Sequence, residues 1–244
     1  MQSNIAQPRI YSTFLSVLRT ASRLLWIDRL RFLYIQRIKG FDVPTAPYFD
    51  SEQTTAWFMQ TLANCRYYLE YGSGGSTYTA AKCGKPFTSV DSDRHFLAAV
   101  KDRIQDDALY NENNQNFVHV DIGPTSSWGK PIFLLFCSRE RLRGFSEYSR
   151  FRTEFTNDGG NPDLILIDGR FRVACALKAI QALRHREGWT IVVDDYVGRD
   201  YYKVVENFAK LEFFVGRMAV FKRATEYDET SYLNALRDYE NDWR

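Results

Sequence analysis

The feature that most restricts this chain is an alternation of two periodicities. Short runs apolar enough to be buried on both faces stand at 66–71, 87–90, 117–120, 164–167 and 190–193. Stretches with helical spacing of apolar residues fit at 77–83, 94–104, 173–186 and 199–210. A strand with no polar face has to lie inside a sheet covered on both sides. The strand, helix, strand order then makes neighbouring strands parallel, joined by right-handed crossovers. Two further runs, 212–215 and 218–222, are separated by Gly216 and Arg217 and read as a hairpin. The expected fold class is α/β: a doubly wound, mostly parallel, seven-stranded sheet that closes on an antiparallel hairpin.

Two regions stand outside the alternation. Residues 10–41 carry Phe14, Leu15, Leu18, Leu25 and Leu33 at roughly helical spacing, with no Gly or Pro between Pro8 and Gly40, and another helical run follows at 51–64. Pro44 and Pro47 lie between them, which places a helical, basic N-terminal extension at 1–47 and the main domain at 48–244. From Met1 to Gly40 seven Arg and Lys stand against Asp28 alone, a local charge of +6. Such a helix packs on the domain or on a second copy in a homo-oligomer, or lies on an anionic lipid surface. The second region, 122–162, is far longer than an ordinary strand-to-helix connection and is expected to form a lid.

Composition excludes several classes. The whole-chain charge of +2 gives no ground for a nucleic-acid partner, and no stretch of about 18 uncharged apolar residues predicts a membrane span. Residues 1–8 lack the apolar region of a secretory signal, and the four cysteines form no C-x-x-C pair. The expectation is a cytoplasmic protein with reduced thiols, whose basic extension would reach the inner surface of the membrane if it meets lipid.

The first strand runs into Glu70-Tyr71-Gly72-Ser73-Gly74-Gly75-Ser76-Thr77, which opens a helix. Glycines at such a turn let backbone amides approach a ligand closely, beside a helix amino terminus that favours an anion. Asp91, at the end of the second strand, would accept hydrogen bonds from a ribose diol. By themselves the glycines and Asp91 suit a nicotinamide dinucleotide and S-adenosylmethionine alike. The segment 70–76, however, resembles the first motif of class I, Rossmann-like methyltransferases, an acidic residue ahead of G-x-G. Val120-Asp121-Ile122 after the third strand and the terminal hairpin are also similar to that family, and the resemblance covers about two thirds of the chain. It implies S-adenosylmethionine held by Glu70, Gly72, Ser73, Gly74, Gly75 and Ser76, with Asp91 on the ribose and Asp121 and Ile122 at the adenine. A NAD-dependent oxidoreductase and a non-catalytic, methyltransferase-like binding protein are the alternatives.

In a doubly wound sheet ligands lie beyond the carboxyl ends of the strands. There the fourth strand supplies Asp168 and the fifth Asp194 and Asp195. Three converging carboxylates suit a hard cation such as Mg²⁺, which would lower the pKa of a substrate hydroxyl. That arrangement is similar to metal-dependent O-methyltransferases of the catechol and macrolide-sugar types, and it implies O-methylation of a sugar, polysaccharide-related or other small-molecule hydroxyl. Arg170 and Arg172 depart from the sugar-type pattern: they either pair with Asp168 or grip an acidic group of the substrate. Without metal, one of the acids serves as a general base. The long insertion interleaves aromatics, Trp128 among them, with arginines, a composition suited to acidic glycans. His119, inside a strand, and His185, near a helix end, are read as core-packing or helix-end-pairing residues, and no histidine is assigned to catalysis.

Overall fold

The computed structural model describes residues 27–132, 137–153, 161–224 and 226–244. The chain divides into two compact units, Met1–Phe41 and Asp42–Arg244. The divide falls ahead of the Pro44 to Pro47 stretch because Val43, Pro47 and Phe49 are buried within the larger unit. In the smaller unit, helix α1 (27–34) passes into a π-helical turn, Ile35–Lys39, with Ile27, Leu30, Tyr34 and Ile38 exposed. The expected helix over 10–26 lies outside the described residues. Among those described, no helix is long and apolar enough to cross a membrane.

In the larger unit the strands are β1 (Tyr68–Tyr71), β2 (Phe87–Asp91), β3 (Gln115–His119), β4 (Leu164–Ile167), β5 (Thr190–Val193), β6 (Ala209–Val215) and β7 (Met218–Arg223). They form one seven-stranded sheet in the order β3-β2-β1-β4-β5-β7-β6. The pairings from β3 through β5 are parallel, and β7 runs antiparallel to both β5 and β6. The doubly wound sheet with a terminal hairpin is the architecture the alternation demands. Its helices are α2 (Glu52–Asn64), α3 (Gly75–Lys82), α4 (Arg94–Asp106), α5 (Arg139–Tyr148), α6 (Arg172–Leu183) and α7 (Glu229–Tyr239).

Strands β1, β4 and β5 are wholly buried, as runs without a polar face require. By contrast β3 is a sheet edge, only partly covered, and His119 at its end is exposed rather than packed in the core. The stretch 199–210 is not an α-helix: Asp200–Asn207 form a 3₁₀ helix, because Ala209 and Lys210 are drawn into the ladder opposite Arg223 and Lys222.

The described part of the insertion also differs from a lid. It contains α5, capped by Ser138 Oγ, which accepts from the Arg141 N–H at 3.2 Å. Phe145 and Tyr148 on α5 are buried in the main core, with ring centroids 4.8 and 5.5 Å from that of Phe171. Gly144 lets the helix approach the Asp121 carbonyl so closely that a Cβ would collide with it. This part of the insertion is therefore a wall of the domain.

The core position of Phe145 gives a test. Phe145→Ala is expected to lower stability by about 3–5 kcal/mol in urea unfolding. A change within about 0.5 kcal/mol, the value for surface sites, would show that α5 is a detachable cover.

Candidate functional site

Register brings the site together. Tyr71 on β1 pairs with Ile167 on β4, which pairs with Val193 on β5. The next residues, Gly72, Asp168 and Asp194, therefore lie in a row at the carboxyl edge. The ladder runs one step further: the Asp168 N–H donates to the Tyr71 carbonyl at 2.9 Å and the Asp194 N–H to the Ile167 carbonyl at 3.0 Å.

The glycine loop is organised from beneath. Glu70 is wholly buried and accepts hydrogen bonds from Tyr68 Oη at 2.8 Å, from Ser76 Oγ at 2.7 Å and from Thr77 Oγ1. Thr77 Oγ1 in turn accepts from the Gly74 N–H at 2.9 Å. Burial raises the Glu70 pKa and the hydroxyl donors pull it back. Glu70 and Ser76, expected against a cofactor, thus face inward and shape the loop instead.

The glycines divide in the same way. Gly72 has φ +103°, and a Cβ there would lie 2.7 Å from the Gly169 nitrogen, so the loops after β1 and β4 meet only through glycine. A Cβ on Gly75 would collide with the Ala46 carbonyl. Around Gly74 nothing lies within 4 Å of the position a Cβ would take, so the loop opens there.

Asp91 ties the loop to β2. Its Oδ2 accepts from the Ser73 N–H at 2.9 Å and its Oδ1 from the Asp93 N–H at 2.7 Å. Burial pushes its pKa up to about 6. Asp121 is exposed, with Oδ1 accepting from the Gly123 N–H at 2.7 Å. A cavity of about 540 Å³ opens beside Asp121, between β3 and α5, lined also by His119, Arg143 and Arg152. Neither the glycine loop nor the acids of β4 and β5 line it. Ile122 is fully buried in the core, so it has no side chain to offer a ligand.

The acids do not converge as a triplet. Asp168 and Asp194 emerge side by side from the paired ends of β4 and β5, and burial raises the pKa of both, that of Asp194 to about 7 with help from the neighbouring Asp168 charge. Asp195 sits in a left-handed turn, φ 53°, that swings it out of the row. Arg199 at 2.8 Å, Arg217 at 3.1 Å and Arg172 at 3.8 Å take up its carboxylate. Among the described residues no group of three His, Cys, Asp or Glu side chains is placed to hold a metal ion. The residues present do not fit Mg²⁺, since one proposed ligand is neutralised by arginines and the other two share their site with a buried cation.

That cation is Arg172, not Arg170. Arg172 binds Asp168 Oδ1 at 2.9 Å and donates to the carbonyls of Asp168, Gly169 and Asp194. The signal was present as an Asp168 to Arg172 spacing of one helical turn. Arg170 differs, because its Nε is buried without a partner and its backbone N–H donates to Tyr148 Oη at 3.3 Å. Tyr148, from the insertion, had no sequence signal for this place.

No family model and no curated protein sequence matches the chain. Among solved structures, a methyltransferase-like protein from Silicibacter pomeroyi is 31% identical, with a TM-score of 0.66, over 81% of this chain and 99% of that one. More distant are a putative methyltransferase from Escherichia coli, at 15% identity over 77% of this chain and 94% of that one with a TM-score of 0.42, and a putative caffeoyl-CoA O-methyltransferase from Staphylococcus aureus, at 13% identity over 73% and 86% with a TM-score of 0.42.

The contrast between two glycines provides a check on the loop. Gly72→Ala is expected to destabilise the fold by roughly 1–3 kcal/mol, from left-handed strain and the Gly169 clash, whereas Gly74→Ala should stay within about 0.5 kcal/mol. Equal urea midpoints for the two variants would contradict this loop geometry.

Proposed function

The chain belongs to the class I, Rossmann-like methyltransferases, and from that premise we propose that it moves a methyl group from S-adenosylmethionine to an oxygen nucleophile, on a sugar, polysaccharide-related or other small molecule. Family membership removes the nicotinamide alternative that the glycine loop and Asp91 left open. The observation that carries the oxygen assignment is the adjacent Asp168–Asp194 pair at the ends of β4 and β5, where the Asp194 pKa is pushed up to about 7.

The donor would lie on the open side of Gly74, with its ribose hydroxyls on the remaining lone pairs of Asp91 and its adenine towards Asp121. S-adenosylmethionine supplies a methyl on a sulfonium sulfur, a bond that breaks as the new carbon–oxygen bond forms. The protein's part is to take the hydroxyl proton. Asp194, ionised above about pH 7, accepts it, while Arg172 holds Asp168 in place and balances the remaining charge. The proton then leaves to solvent.

This makes rate depend on pH. The value of kcat/KM is expected to rise through about pH 7 as Asp194 loses its proton. Asp194→Asn should remove the rising limb and lower the rate by roughly 10² to 10⁴, with cofactor affinity nearly unchanged. The raised pKa also has a stability sign. The folded pair keeps a proton that the unfolded chain has lost, so its contribution is full below about pH 4 and falls as pH rises through about 7. An unchanged pH profile in Asp194→Asn would remove Asp194 as the base.

We also propose that the basic extension touches anionic lipid. Ile27, Leu30, Tyr34 and Ile38 are exposed at the spacing of one helix face, and Arg29, Arg31, Arg37 and Lys39 flank them. Co-sedimentation with phosphatidylglycerol vesicles should exceed that with phosphatidylcholine vesicles at low salt and fade as salt is raised. Equal sedimentation with both would refute the contact.

A further inference from the structure

Arg170 is a cation without a counter-charge. Its Nε is buried and unbonded, and no ion pair or hydrogen bond to its guanidinium occurs among the described residues. The nearby acids are committed elsewhere, Asp168 to Arg172 at 2.9 Å and Asp195 to Arg199 and Arg217. Burial, followed by the charge of Arg172, disfavours its protonated form. The residue is half-buried, with Nε the part withdrawn from water, and a partly desolvated cation is stabilised when an anion meets it. Arg170 lies at the exit of β4, two residues after Asp168, so an anion meeting it would stand beside the Asp168–Asp194 pair.

The loop above it is built to stay in place. Ser126 N–H donates to the Lys130 carbonyl at 2.9 Å and Ile132 N–H to the Pro124 carbonyl at 2.8 Å. Arg141 fastens the loop base through the carbonyls of Ile122 and Ile132, both at 2.8 Å. Gly129 brings the loop down between β2 and β4: a Cβ there would be 2.9 Å from Ser92 Oγ and 3.8 Å from Arg170 Cγ. At the tip, Trp128 is held in a left-handed conformation, φ 64°, with its side chain 84% exposed. Non-glycine residues seldom adopt that conformation, and an exposed indole offers a flat apolar face.

Resting on the methyl-transfer reading, we propose that Arg170 and Trp128 form the acceptor subsite, and that it takes a small ring molecule carrying an oxyanion, carboxylate or phosphate, close to the hydroxyl that is methylated. Arg170 pairs with the oxyanion through its planar guanidinium, and Trp128 covers the ring. The anion then fixes the hydroxyl next to Asp194.

The test is a set of equilibrium titrations on the full chain saturated with S-adenosylhomocysteine, using two matched pairs of probes: glucuronate with glucose, and 4-hydroxybenzoate with 4-hydroxybenzamide. Calorimetry gives the affinity and tryptophan fluorescence reports the ring contact. In at least one pair the anion should bind about tenfold or more tightly than its neutral partner. Arg170→Gln should abolish that preference without changing S-adenosylhomocysteine affinity, and Trp128→Ala should weaken both members of the pair similarly and remove the fluorescence change. No preference for either anion, absence of binding included, overturns the subsite, as does a preference that survives Arg170→Gln. If S-adenosylhomocysteine itself fails to bind, the methyl-transfer reading falls and the subsite with it, which the first titration reveals before any acceptor is added.

Discussion

The Glu70 carboxylate, out of reach of water at the end of β1, is kept by three hydroxyl groups, those of Tyr68, Ser76 and Thr77. A buried carboxylate without donors would be strongly unfavourable, so the hydroxyls cannot be dispensed with. Two of them belong to the first turn of α3, and Thr77 passes the connection on to the Gly74 N–H. Strand, loop and helix are thereby locked into one geometry. The consequence for function is indirect: the Glu70 carboxylate is taken up by the hydroxyls beneath the loop, and through Thr77 it fixes the place where the loop opens at Gly74.

A second constraint, strand register, acts on the other side of the same edge. Because β1, β4 and β5 are paired in step, Gly72, Asp168 and Asp194 emerge side by side. Parallel strands lie about 4.8 Å apart. The Asp168 charge therefore adds to burial in raising the Asp194 pKa, and the Arg172 cation opposes it. Arg172, the first residue of α6, joins both strand ends, through the Asp168 carboxylate and the Asp194 carbonyl, and its position follows from Phe171 entering the helix in a left-handed conformation.

How much of this was legible in the sequence depends on whether backbone or side-chain direction was at issue. The sheet, its hairpin and the placing of Asp91 and Asp168 at strand ends follow from periodicity alone. The inward aim of Glu70 does not, since an acid just before a glycine turn serves either side of a strand. Asp195 and Asp194 are neighbours in sequence, but one positive φ sends Asp195 to three arginines and leaves Asp194 with Asp168. Arg170 and Arg172 looked equivalent until the start of α6 made Arg172 the partner one turn from Asp168. The insertion read as a lid because of its length, whereas Phe145 and Tyr148 complete the core. Only the loop that carries Trp128 keeps that character among the described residues.

The central claim is that the open side of the glycine loop receives the methyl donor. Calorimetric titration of S-adenosylhomocysteine into the wild-type chain and into Gly74→Val tests it most directly, with a urea unfolding curve for each. The account predicts saturable one-site binding to the wild type and loss of binding in the variant, with unfolding midpoints that nearly coincide, because the new side chain enters space the protein itself does not fill. Equal affinity in both proteins, or no binding to the wild type, would contradict it.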